Sequence, residues 1–171
     1  MWYVLLAALG LLWSGKIAAI KATATTGISP DLIVAMSLIG SAATFAFVSV
    51  VRQSLPPVDR TTLRFYVLTG LMGFLVPFSL EVVVSPELPV FVFVVMLSTM
   101  PILTVILGRI TGTEHLKPRQ YTAFGIGFCA AVLVALDTTA VSFSLPTSPL
   151  WIVLGFAVPA LYALNTVFVA S

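Results

Sequence analysis

A chain of 171 residues that is 60% hydrophobic and 8% charged, with a mean hydropathy of +1.15, excludes a soluble globular domain, in which about a quarter of residues carry charge. A net charge of +2 without a basic run excludes a nucleic-acid partner, and a single cysteine, Cys129, excludes an intrachain disulfide. A helix needs about 20 apolar residues to cross about 30 Å of hydrocarbon. Six such runs are predicted, at 2–22, 32–51, 63–84, 89–110, 121–136 and 150–169, and the polar and Gly/Pro-rich stretches fall between them. The fold class is therefore all-α integral membrane, with the lipid bilayer as its surroundings.

The first run is read as a span and not as a cleaved leader, because no positive residue precedes it and no A-x-A-like site follows a short apolar core. It carries Lys16, about 14 residues into the helix, or roughly 21 Å along it at 1.5 Å per residue. An unpaired charge there costs from about 3 to more than 10 kcal/mol, so the side chain either faces a protein cavity or snorkels to the outer interface roughly 9 Å away. Gly10, Ser14, Ala18 and Ala22 recur every fourth residue, the spacing of a helix–helix seam built from small residues. Lys16 lies about 160° around the helix from that stripe. A packed seam would turn Lys16 toward a cavity.

The third span carries Pro77 and Glu81, the latter being the only acidic residue inside a predicted span. Its depth overlaps that of Lys16, so it either pairs with Lys16 or is wetted at the interface. The connection "SPEL" at 85–88 is short enough to predict a tight hairpin of the third and fourth spans. Pro77, Pro101 and Pro159 lie within spans and leave the carbonyls of Gly73, Leu97 and Gly155 without their helical donors. In hydrocarbon those carbonyls need other partners, which predicts hinges at the prolines, with Ser98 and Thr99 as nearby hydroxyls. On the fourth connection His115 stands with Glu114 and Lys117, and one histidine does not make a metal site. The fifth span repeats the small-residue spacing at Ala123, Gly127, Ala131 and Ala135.

Arg52, Arg60 and Arg64 flank the second connection and Arg109, Lys117 and Arg119 the fourth, whereas the odd connections offer only Lys21. Basic residues near span ends resist translocation, so the even connections and the N-terminus are predicted to be cytoplasmic. No nucleophile, acid–base pair, metal set or phosphate loop is visible, and the chain is read as neither an enzyme nor a cofactor binder.

An internal repeat emerges when the first and sixth spans are compared at an offset of 149 residues: Leu5 aligns with Leu154, Ala8 with Ala157, Leu12 with Leu161, Trp13 with Tyr162, and Lys16 with Asn165. An odd number of spans separates the copies, so the second enters the membrane inverted. Carriers built from inverted repeats place their substrate near the midplane between the halves.

The motifs, in order, are "LLWSGKIAAIKA" followed by "GISP", "VPF" at 76–78, "MPILT" at 100–104, and "TEHLKPRQYTAFGIGFCAAVLVAL" from Thr113, with 24 residues from Pro77 to Pro101. Together they resemble the EamA-type carriers of the drug/metabolite transporter superfamily. The resemblance implies half of an inverted-repeat transporter fold, with a five-helix repeat at 1–137 and, at 138–171, a connection and the first helix of a second repeat. It also implies export or exchange of small metabolites across the cytoplasmic membrane. The expected substrate cavity lies among the first, third and fourth spans, with Lys16, Glu81, Thr99 and Asn165 as its polar residues. The chain would then be either a fragment lacking the rest of its second repeat or half of a homodimer. The alternative class is a truncated or non-transporting membrane subunit acting only by helix association. This sequence departs from the family at Lys16, where Asn is usual, at Ser37, where Arg is common, and at "ELPVF", where small and hydroxyl residues usually open the fourth span.

Overall fold

A computed structural model describes residues 2–24, 26–113, 118–137 and 148–171. The chain is an all-α membrane protein, and the described residues contain no strand. Its elements are α1 (Trp2–Ala24), α2 (Pro30–Val51), α3 (Arg60–Gly70), a π-helical turn (Leu71–Leu75), α4 (Val76–Val84), α5 (Val90–Ser98), α6 (Met100–Thr111), α7 (Pro118–Asp137) and α8 (Pro149–Ala170). Among the described residues, five stretches are long and apolar enough to cross a membrane: Val4–Thr23, Pro30–Val51, Arg60–Val84, Val90–Thr111 and Pro149–Ala170. The 20-residue α7 occupies the place of the fifth predicted run.

Local chemistry sets the helix ends. Pro30 opens α2, where a missing N–H costs nothing because the first helical donors have no partner anyway. Asp59 caps α3, accepting from the Thr61 and Thr62 amides at 3.1 and 3.0 Å. Ser148 caps α8 through the Leu150 amide at 3.3 Å, with Pro149 as the first helical residue. Gly112 ends α6 at φ 74°, and the Thr113 amide then reaches back to the Gly108 carbonyl at 2.9 Å.

Two of the three intramembrane prolines coincide with breaks. Upstream of Pro77 the helix widens into the π turn, where the Val76 amide bonds the Leu71 carbonyl, five residues back. Pro101 follows the step at Thr99 that separates α5 from α6. Pro159 is different: α8 runs unbroken through it, so the hinge expected there is not a break in the helix. The hydroxyls near Pro101 also act differently from expectation. Ser98 and Thr99 donate to the Val95 and Met96 carbonyls, at 2.7 and 2.6 Å, and not to that of Leu97.

The third and fourth spans were expected to lie against each other along the hairpin. Their shared packing is a cluster near the turn, where Val84, Leu88, Phe93 and Met96 meet Trp151 and Leu154 of α8. Beyond it, α8 packs against α4 on one arm and against α5 and α6 on the other, while α7 lies on α5 and α2 on α4. The reason is steric fit as well as apolar burial. A Cβ on Gly155 would stand 2.7 Å from Met96 Sδ, so α8 approaches the fourth span closely there. A second cluster joins α1 to the bundle through Ile20, which packs with Phe78 and Val82 and, more loosely, Ile33 and Val34.

Among the described residues, the small-residue stripe predicted as a seam on α1 faces outward. Gly10, Ser14, Ala18 and Ala22 are exposed, and a Cβ on Gly10 or Gly127 would meet nothing within 4 Å. The α1 face that does pack is the one bearing Lys16 and Ile20, because that face carries the side chains with partners on α4 and α8. On α7 the inward residues are the larger Phe124, Phe128 and Val132, with Ala123 and Gly127 turned outward. The Ala131 and Ala135 side chains, and the His115 group, lie outside the described residues.

Candidate functional site

Three helices converge on one charged cluster. From α1, Lys16 Nζ donates to Glu81 Oε2 of α4 at 2.7 Å. From α8, the Tyr162 hydroxyl donates to the same oxygen at 3.0 Å. The Glu81 side chain is 1% exposed and that of Lys16 30%, so the carboxylate is sealed inside the bundle while the ammonium retains an open side. The pair expected from depth and sign therefore forms. Its asymmetry in burial was not expected.

The ammonium also lies among rings. Its centroid distances are 4.5 Å to Trp13, 5.5 Å to Phe78 and 5.9 Å to Tyr162, all within the range of cation–π attraction. Trp13 and Tyr162 themselves meet edge to face at 6.0 Å. Trp13 and Lys16 are three residues apart on α1 and thus on one face of the helix. Tyr162 and Glu81 are brought in by the packing of α8 on α4.

Among the described residues, buried Glu81 Oε1 finds no hydrogen-bond partner, and neither does Ser85 Oγ, one turn further along the same helix. Of the two carboxylate oxygens, one thus takes both donors and the other none. Lys21 lies beyond the cluster, its Nζ donating to the Leu88 carbonyl at 2.6 Å and tying the end of α1 to the hairpin turn.

On its open side Lys16 faces a groove of about 520 Å³ between α1, α2 and the third span, lined also by Ser37, Gly40, Ser41, Thr44, Phe45, Phe74 and Phe78. The hydroxyls of this wall come from α2, whereas the cavity was expected among the first, third and fourth spans. The cause is the position of α8, which fills the space beside the fourth span and leaves the gap on the α2 side. In the sequence Ser37 stands out only as a family departure, and Ser41 and Thr44 do not stand out at all. Their signal was the i, i+4, i+7 spacing of hydroxyls on an otherwise apolar helix. Thr44 Oγ1 turns back to the Gly40 carbonyl at 2.8 Å, a common resting place for a hydroxyl in an apolar helix.

The remaining expected residues stand apart from this groove. Thr99 is half-buried, with its hydroxyl on the Met96 carbonyl. Asn165 lies against the π turn: a Cβ on Gly73 would come within 2.3 Å of its Nδ2, and its buried Oδ1 has no partner among the described residues. Pro77 is buried beside the cluster, Pro159 is buried on α8, and Pro101 is exposed. No group of three or more metal-ligating side chains occurs among the described residues.

Spanning helices bundled around an internal ion pair that opens on a hydroxyl-lined groove define the class: a polytopic helical membrane protein with a polar interior. The EamA-like transporter family matches residues 1–136. With more than three quarters of its length matched, the chain belongs to that family. No curated protein and no solved structure matches it.

Proposed function

We propose that this protein carries small metabolites across the cytoplasmic membrane, by export or exchange, and that the groove between α1, α2 and the third span receives the substrate. The observation that carries this reading is Lys16. It is anchored on one side by a sealed carboxylate and exposed on the other to hydroxyls and aromatic rings. A charge held in a membrane interior by a partner and left open to a cavity marks a substrate or ion pathway. Membership of a transporter family supports the same reading.

In this reading the N-terminus is cytoplasmic, residues 1–137 form the first repeat and 138–171 begin the second. The meeting of Trp13 with Tyr162, which align at the repeat offset, favours an inverted pair whose approximate two-fold axis passes between α1 and α8. The test is reconstitution in liposomes preloaded with labelled amino acids and small carboxylates. Faster efflux of some of these compounds than from protein-free liposomes, abolished by Lys16→Met, is the expected result. Equal retention in both would overturn the proposal.

A further inference from the structure

The open face of Lys16 and the sealed face of Glu81 impose a charge rule on anything that binds the groove. With Lys16 charged and Glu81 ionised, the cluster is neutral as it stands. An anion placed on the ammonium would make two negative charges share one cation inside the bundle. A buried uncompensated charge is the state that proteins avoid, generally by taking up or losing a proton.

Among the described residues, Glu81 is the one placed to take it. From α1 the facing charged groups are Lys16 and, beyond it, Lys21, which is held on the Leu88 carbonyl. From α8 it is Tyr162, a hydroxyl that already donates to Glu81. The charged residue of α2, Asp31, is exposed at the start of that helix, and the neighbouring Glu87 is exposed in the turn. The carboxylate even has an oxygen in reserve. Among the described residues Oε1 has no donor, so a proton can add there while Oε2 keeps the Tyr162 hydroxyl.

We infer that the groove binds a monoanion with a flat apolar body, and that each anion enters together with one proton, which Glu81 takes on Oε1. Protonation converts the carboxylate to a neutral acid and frees Lys16 for the incoming anion. The α2 hydroxyls of Ser37 and Ser41 then hydrogen-bond the anion, and the rings of Phe45, Phe74 and Phe78 pack on its apolar part. The loaded site is neutral, as the empty one is. This rests on the groove being the substrate site, and it adds what the substrate must be and what must accompany it.

Benzenesulfonate is a suitable probe because it stays anionic across the working pH range, so that any pH effect belongs to the protein. Trp13 is the reporter, its ring lying 4.5 Å from the ammonium. Replacing the other two tryptophans, Trp2→Phe and Trp151→Phe, leaves it as the single indole. The expected result, in detergent over roughly pH 5 to 8, is a dissociation constant that rises as pH rises, approaching tenfold per unit, since one proton is bound with each anion. Glu81→Gln should bind benzenesulfonate with no pH dependence, and Lys16→Met should not bind it.

Binding by the wild-type site with an affinity independent of pH would overturn the proton link and leave the groove as substrate site. An unchanged pH dependence in Glu81→Gln would overturn the assignment to Glu81. Absence of binding at every pH would overturn the inferred ligand class, and the efflux assay with labelled compounds then decides the groove reading separately. The pH series on the Trp13-only protein decides the proton link even if the Glu81 variant fails to fold.

Discussion

Lys16→Met removes one of the two donors to the buried Glu81 carboxyl and leaves the other, the Tyr162 hydroxyl. At 2.7 Å and an effective dielectric near 20, the lost attraction is roughly 6 kcal/mol before any relaxation. Some of that is offset because the ammonium was 30% exposed and recovers hydration in the unfolded state. Removing one partner of a buried pair costs about 3–5 kcal/mol, and the exposure of Lys16 places this case near the lower end, at about 3 kcal/mol. The double variant Lys16→Met with Glu81→Gln removes both charges together and should recover most of that loss. The measurement is unfolding in a mild detergent at neutral pH, for the wild type, the two single variants and the double. If Lys16→Met costs less than about 1 kcal/mol, or the double variant is as unstable as the sum of the singles, the pair is not an energetically coupled unit.

Gly73→Ala should push Asn165 off the π turn, because the new Cβ would stand 2.3 Å from its Nδ2, and cost about 1–3 kcal/mol, with Asn165→Ala restoring stability in the same unfolding assay. Gly155→Ala meets instead the ends of Met96 and Leu88, at 2.7 and 2.9 Å; flexible side chains yield, and about 1 kcal/mol of helix propensity offsets the crowding, so stability should stay within about 1 kcal/mol of wild type. Outside the membrane, the Asp59 carboxyl is held below the usual carboxylate range, chiefly by the Thr62 hydroxyl and then by the Thr62 amide. A lowered value in the folded state means that the cap contributes fully above the ordinary carboxylate value and is lost as pH falls through the lowered one. Hydrogen exchange at the Thr61 and Thr62 amides, divided by the intrinsic rate at each pH, should therefore show protection lost at acid pH in the wild type and change less with pH in Asp59→Asn.

The lysine was conspicuous because charge in hydrocarbon demands a partner, and the single intramembrane acid narrowed the choice to Glu81. Helix type and span placement followed from hydropathy alone. Helix faces were less legible. Gly10, Ser14 and Ala18 form a seam by spacing, yet spacing does not say whether a neighbour is present, and the face with partners was the opposite one. The α2 hydroxyls were inconspicuous because serine and threonine can bond their own helix, so nothing local separates a groove-lining Ser41 from an idle one. Placing the groove required knowing that α8 packs on both arms of the hairpin, a contact between residues far apart in sequence.

The π turn governs the aim of the whole third span. Phe65 stacks on Phe168 at 5.8 Å, Gly73 receives Asn165, and Glu81 receives Tyr162, so a row of residues eight apart faces one helix. A regular α-helix cannot hold such a row: at about 100° per residue, position 81 would point about 160° away from position 65. The wider turn at Leu71–Leu75 takes in one extra residue and so cancels about 100° of that drift. It works as a phase corrector, keeping the acid on the same bearing as the aromatic anchor below it. Shortening this turn by one residue would leave every downstream contact intact in sequence and rotate the carboxylate out of reach of both its donors.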